Sequence, residues 1–197
     1  MMTNKLYPHF CSLILLSLVL LSACSSDKKS ESENGNKATV ATGKERYEQL
    51  IDSIEAKMQA TRNMPLDQGT AMFAMRVYDE YASYFPDEQK SPDYLFKAGE
   101  LANSMQLSQP ALGYFTRLTN KYPSYKNTPY AIFMQGMIYD DQLKDTAGAR
   151  KMYKQVIEKF PNTQLAKDAE TSIGHLGKSV EELVREFEQK NAAAAKK

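Results

Sequence analysis

Apolar and polar positions fall into three regimes along the chain. Residues 10–21 form a nearly continuous apolar run, residues 25–43 contain almost nothing apolar, and from Glu45 onward apolar residues recur with a helical period. Tyr47, Leu50, Ile51, Ile54 and Met58 fall on one face of a helix, and the same spacing continues to the end of the chain. No β-branched alternating run is present, so the pattern predicts no strand. The prolines of the periodic region lie between its segments, where they start or stop helices.

The periodic region also repeats itself. Tyr84-Phe85-Pro86, Lys121-Tyr122-Pro123 and Lys159-Phe160-Pro161 close three segments, with prolines 37 and then 38 residues apart. Twelve residues before each proline stands an alanine (Ala74, Ala111, Ala149), and eight before it an aromatic (Tyr78, Phe115, Tyr153). Thirteen residues after it stands a glycine (Gly99, Gly136, Gly174). Four features in phase three times imply a structural repeat. The physical reading is a pair of antiparallel helices per unit. The small residues let the two backbones approach, the aromatic fills the space between the pair and its neighbour, and the proline turns the chain into the next unit. A single unit cannot cover its own apolar face, so neighbours stack. After Gly177, Ser179-Val180-Glu181-Glu182 reads as a capping box opening a last helix. Leu183, Val184 and Phe187 give that helix a narrow apolar face, as a terminal capping helix needs.

The apolar run at the N-terminus is short of the ~20 residues that span a bilayer. It follows a polar stretch with one cation, Lys5, and reads as the core of a secretory signal. It ends in Leu21-Ser22-Ala23-Cys24, which resembles the lipobox of bacterial lipoproteins. The resemblance implies cleavage after Ala23, acylation of Cys24 and anchoring to a membrane. Ser25 follows the cysteine where an aspartate would mark inner-membrane retention in enteric bacteria, so the resemblance points to the outer membrane, periplasmic face before surface. Residues 25–43 cannot bury enough surface to offset their ordering entropy and are expected to form a disordered tether. Nineteen such residues reach roughly 25 Å.

Composition removes several function classes. Once the signal is cut, no free thiol remains, because Cys11 leaves and Cys24 carries the lipid; His175 is then the one histidine. Zinc sites draw on several Cys or His ligands, and no metal or cofactor site is expected. With Lys5 gone, basic and acidic residues balance, and no basic stripe suggests a nucleic-acid partner. Two motif imitations fail on inspection. Gly177-Lys178-Ser179 ends like a phosphate-binding loop, but Ser172 stands where a glycine is required and the preceding segment is helical. A C-cap glycine followed by an N-cap serine explains it. Asp140, Asp141 and Asp145 lack the glycine and glutamate of a calcium loop; Asp145 reads as a helix cap.

The repeat resembles the tetratricopeptide family. Gly136, Tyr139, Ala149, Tyr153 and Pro161 occupy its signature slots in the best unit, and Gly99, Ala111, Phe115 and Pro123 in the one before. The departures are Ala102, where the family often has Tyr, an irregular stretch at 61–67 in the first unit, and a unit longer than the family's 34 residues. The surplus lies in turns such as 124–128. These longer units are similar to repeats of bacterial envelope proteins, among them the lipoprotein subunit of the β-barrel assembly machinery and the repeat domain of the Tol-Pal coordinator. The resemblance covers residues 45–178. It implies an all-α solenoid of about three helical hairpins with a C-terminal capping helix. The expected organisation is a signal peptide at 1–23, lipidated cysteine and tether at 24–43, repeat domain at 44–191 and a frayed tail at 192–197.

By the same resemblance, first-helix positions line the concave surface: Asp93, Phe96 and Glu100 in one unit, Tyr130, Phe133, Met137 and Asp140 in the next. Phe96, Phe133 and Met137 would make an apolar strip with acidic neighbours, either open to a partner or covered by the C-terminal helices. The expected function is a membrane-anchored, non-enzymatic scaffold that binds envelope proteins or peptide segments, in outer-membrane protein assembly or envelope maintenance. No small-molecule substrate is expected. Two alternatives are a passive lipoprotein bound to the cell wall and a hydrolase using Glu100 with Asp140, which would require the two carboxyls to face each other in a cleft.

Overall fold

The computed structural model describes residues 31–61, 63–64 and 67–194, with side chains from 43 on except those of 190, 193 and 194. The signal segment and Cys24, and with them the lipidation reading, lie outside the described residues. Eight α-helices and no strand are found among those described: α1 (Glu31–Ala60), α2 (Gln68–Tyr84), α3 (Ser91–Ser104), α4 (Ser108–Lys121), α5 (Thr128–Met137), α6 (Thr146–Lys159), α7 (Gln164–His175) and α8 (Val180–Ala194). A π-helical turn, Ile138–Gln142, continues α5. The backbone of α1 is helical from Glu31, inside the stretch whose composition predicts a tether. Its tertiary contacts run from Lys44, which pairs with Glu88, to Met58.

The helix boundaries follow from local chemistry. Asp67 accepts from the Thr70 amide at 3.2 Å, Asp145 from the Gly148 amide at 2.9 Å and Thr163 from the Ala166 amide at 3.1 Å, so α2, α6 and α7 each open on a side-chain cap. The capping box of α8 is formed in both directions: the Ser179 amide donates to Glu182 at 2.8 Å and the Glu182 amide to Ser179 at 3.2 Å. Pro92 and Pro129 sit in the first turns of α3 and α5, where the missing N–H costs nothing. The long joints are closed by buried hydroxyls. Ser91 Oγ donates to the Phe85 carbonyl at 2.5 Å and Thr128 Oγ1 to that of Tyr122 at 2.8 Å, six residues back in each case. This bond gives the surplus turn residues a fixed path. The Asp145→Ala variant is expected to lose about 1 kcal/mol, read as a lower thermal midpoint, because it strips α6 of its cap.

Successive helices from α1 to α7 pack antiparallel, and the solenoid grows as hairpins α1–α2, α3–α4 and α5–α6. Within a hairpin the glycine and the aromatic meet. A Cβ added at Gly99 would stand 2.5 Å from the Phe115 ring, and one at Gly136 2.5 Å from the Tyr153 ring. Ala74, Ala111 and Ala149 are fully buried. Between hairpins, Arg117 of α4 donates to Asp79 and Ser83 of α2, and Thr116 Oγ1 of α4 donates to Gln135 of α5 at 2.9 Å. The end of the solenoid differs from its middle. Helix α8 exists as expected, but Val180, Val184 and Phe187 are 72%, 50% and 65% exposed, so its apolar face is turned outward.

Candidate partner-binding groove

The first helices of the hairpins form one row. Lys90 and Lys97 of α3 reach Glu48 and Glu55 of α1 at 3.1 and 2.6 Å. Residues 48 and 55, like 90 and 97, are two helical turns apart, so the two pairs fix the register of the helices. Between α1 and α3 lies an open cleft of about 450 Å³, lined by Glu55, Met58, Gln59, Tyr78, Lys97, Glu100, Leu101 and Ser104. Its floor is a closed polar set. Tyr78 Oη donates to Glu55 at 3.0 Å, Lys97 Nζ donates to the same carboxylate, and the ammonium stands 5.9 and 5.5 Å from the Tyr78 and Tyr94 ring centres. Glu100 has neither hydrogen bond nor ion pair among the described residues. Its carboxyl is pushed above the ordinary value because surrounding protein displaces water, an effect that Lys97 partly offsets. An unpaired carboxylate beside Met58 and Leu101 is a place where a cationic group with an apolar stem gains most.

The residues that the sequence nominates separate into three groups. Asp93 is held by its own fold: Tyr125 Oη donates to it at 2.5 Å and Lys126 stands at 3.7 Å. Phe96 is a core residue, 8% exposed, so its expected place in an open strip is corrected. What covers it is Tyr125 and Tyr130, at ring distances of 6.4 and 6.0 Å, and not the C-terminal helices. Tyr130 is exposed at 41% and presents the outer surface there. Phe133 and Met137 are half-buried, Phe133 against Tyr153 at 5.2 Å and Met137 at the boundary of the central and C-terminal cores.

Glu100 is exposed in the α1–α3 cleft, whereas Asp140 belongs to the π-helical turn, its carboxyl raised first by burial and then by Asp141. Asp140 does not line the cleft of Glu100, and the charge acting on Glu100 is that of Lys97. The paired acid and base that a hydrolase needs is therefore not what these two residues form. Sequence reasoning missed the contribution of α1: Glu55, Met58 and Gln59 line the cleft opposite α3. Met58 was visible as a member of the apolar face, but its neighbours across the cleft depend on the register set by the two Lys–Glu pairs.

The π-helical turn is itself tied down. Gln142 donates to Asn103 at 2.7 Å and accepts from Ser108 at 2.6 Å, which links the end of α5 to the turn between α3 and α4.

Against known proteins, the tetratricopeptide repeat model matches residues 93–125 and 130–163, which are the α3–α4 and α5–α6 hairpins with their joints. No curated protein matches the chain. Among solved structures, the crystal structure of MamA is similar at 15% identity and a TM-score of 0.42, over 83% of this chain and 95% of that one.

Proposed function

We propose that this protein is a membrane-anchored interaction scaffold of the bacterial envelope, holding a peptide segment or subunit of a partner along the row of first helices. Tetratricopeptide-type hairpins are protein-binding modules, and two of them match here. The observation that carries the reading is the α1–α3 cleft, with its apolar walls and the unpaired carboxylate of Glu100. Tyr130, exposed next along the row, extends the same surface. The favoured occupant is an extended or helical segment bearing a Lys or Arg, whose stem lies on Met58 and Leu101.

The anchor rests on Leu21-Ser22-Ala23-Cys24, and Ser25 supports the outer membrane, periplasmic face. Anchoring raises the local concentration of scaffold at the membrane surface, so a modest intrinsic affinity suffices. By the likeness of the long repeat units, the partners are proteins of outer-membrane assembly or envelope maintenance.

The test is in-cell cross-linking and purification of the lipidated protein, with Glu100→Lys/Tyr130→Ala as the comparison. Glu100 is exposed, and Tyr130, though exposed, covers Phe96, so unchanged circular dichroism and thermal midpoint of the variant are required before its recovery is compared. An envelope partner recovered with the native chain should fall about tenfold or more with the variant, which corresponds to ~1.4 kcal/mol. Equal recovery with both would remove the cleft as the site. Recovery of cell-wall material alone would favour the passive structural reading. The Cys24→Ser variant should leave the membrane fraction; if it stays, the anchor lies elsewhere.

A further inference from the structure

The three in-phase glycines are not in equivalent surroundings. Gly99 and Gly136 lie under aromatic rings, but a Cβ at Gly174 would meet nothing within 4 Å. The turns after α3, α5 and α7 each carry one residue in the left-handed region, Gln106 at φ 59°, Lys144 at 54° and Gly177 at 78°, as does the joint before α7 at Asn162. Helix α8 leaves α7 through the turn at Gly177 but meets it only near its end, at His175, does not pack along it as α4 packs along α3, and delivers no ring to Gly174. The rings of the earlier hairpins follow their glycines by 16 and 17 residues; at those distances from Gly174 stand Lys190 and Asn191. Phe187, the aromatic that α8 does carry, comes about one helical turn too early. The chain's own α8 does not bring Phe187 over Gly174.

The flank of this empty seat is open as well. In the earlier hairpins that flank receives the next second helix, as Asp79 and Ser83 of α2 receive Arg117. The in-phase residues on α6 are Lys154 and Glu158, and with Arg150 and Lys151 they line an exposed cleft of about 620 Å³. Arg150, Lys151 and Lys154 have no ion pair among the described residues. Helix α8 has the complementary character: four glutamates, at 181, 182, 186 and 188, against Arg185 and Lys190, of which Glu186 is paired with Lys178 and Glu182 closes the capping box, leaving Glu181 and Glu188 beside an exposed stripe of Val180, Val184 and Phe187.

We infer that α8 of a second copy fills this seat reciprocally, Phe187 of each chain lying over Gly174 of the other and the acidic side of α8 meeting the basic face of α6. A helix arriving from another molecule can lie along α7, as the chain's own α8 does not, and one chain holds both halves of the contact. The two-fold arrangement closes on itself, leaving no open end to extend into a filament. This surface is separate from the α1–α3 cleft, so Glu100→Lys should leave it intact.

The experiment is light scattering coupled to size exclusion on the full chain purified in detergent, at micromolar concentration. The native chain should be a dimer. Phe187→Lys and Gly174→Leu, both at exposed positions, should each weaken the dimer about tenfold or more while circular dichroism stays unchanged. Lys151→Glu/Lys154→Glu should do the same, as should Glu181→Lys/Glu188→Lys. An equimolar mixture of the two charge-reversed chains should restore a dimer containing one of each. A monomeric native chain would overturn the inference, and so would a dimer that survives Phe187→Lys or a mixture that gives no rescue.

Discussion

Phe115→Ala is expected to lower the unfolding free energy by about 3–5 kcal/mol, the range for truncating a fully buried aromatic. Phe115 has no exposed surface, and its ring fills the gap that Gly99 leaves on α3 while lying 5.9 Å from Phe96. Removal opens a void that both helices would have to collapse to fill. They cannot approach much further, because the glycine has already brought α3 as near as its backbone allows. A domain of this size holds only about 5–15 kcal/mol in total. The solenoid is held by contacts between neighbours, so a loss in α3–α4 also uncouples the hairpins on either side. The denaturant transition should move to lower concentration and broaden.

The glycines make the same point with opposite signs. Gly136→Ala should cost about 1–3 kcal/mol, since its methyl would stand 2.5 Å from the buried Tyr153 ring. In the Phe187→Lys background, which leaves position 174 without a partner ring, Gly174→Ala should add up to ~1 kcal/mol, because nothing lies near it and alanine is the better helix former. A stability change of the same sign at both positions would refute the packing difference between the ends of the solenoid.

The all-α class and the hairpin repeat were legible because they depend on spacing alone, whereas the aromatic, expected between a hairpin and its neighbour, lies over the glycine of its own hairpin. A backbone approach demands a residue without a side chain, and a ring sixteen or seventeen positions later fills the gap. Gly174 shows where the rule stops. It keeps the phase but not the surroundings, and only continuing the count to Lys190 and Asn191 shows that no ring follows. Phe96 was placed correctly on the first-helix row but not in depth. The long joint carries Tyr125 back onto it, and nothing in the periodic pattern sets the path of a joint. The cleft itself was half legible. Glu100 was named, whereas its opposite wall on α1 depends on Glu48–Lys90 and Glu55–Lys97, pairs whose members lie 42 residues apart in sequence. Likewise the amphipathic character of α8 could be read from Leu183, Val184 and Phe187, but not the direction in which that face turns.

Alkaline conditions should unfold this protein sharply. Burial pushes the phenols of Tyr94 and Tyr153 up to about 12, with nearby carboxylates, Glu55 and Glu48 for Tyr94 and Asp140 for Tyr153, adding to the effect. Tyr78, Tyr81 and Tyr125 are raised for the same first reason and by their bonds to Glu55, Glu48 and Asp93. Well below pH 10 these five phenols are protonated in both folded and unfolded chains, so the packing stability is fully present. Between pH 10 and about 12 the unfolded chain gives up these protons while the folded chain keeps them. The unfolded state then binds fewer protons, and stability falls by about 1.4 kcal/mol per pH unit for each such tyrosine. Tyr94 and Tyr153 alone give about 3 kcal/mol per unit, and the other three steepen the fall. The thermal midpoint should therefore be flat up to about pH 9.5 and drop steeply above it, with tyrosinate absorbance rising together with the loss of helix. Tyr153→Phe keeps the ring over Gly136 but removes one phenol, so its slope should be shallower by about 1.4 kcal/mol per unit. Titration of these five phenols near pH 10 while the helices persist would show that their rings are open to water, and the packed hairpin interior described here would have to be abandoned.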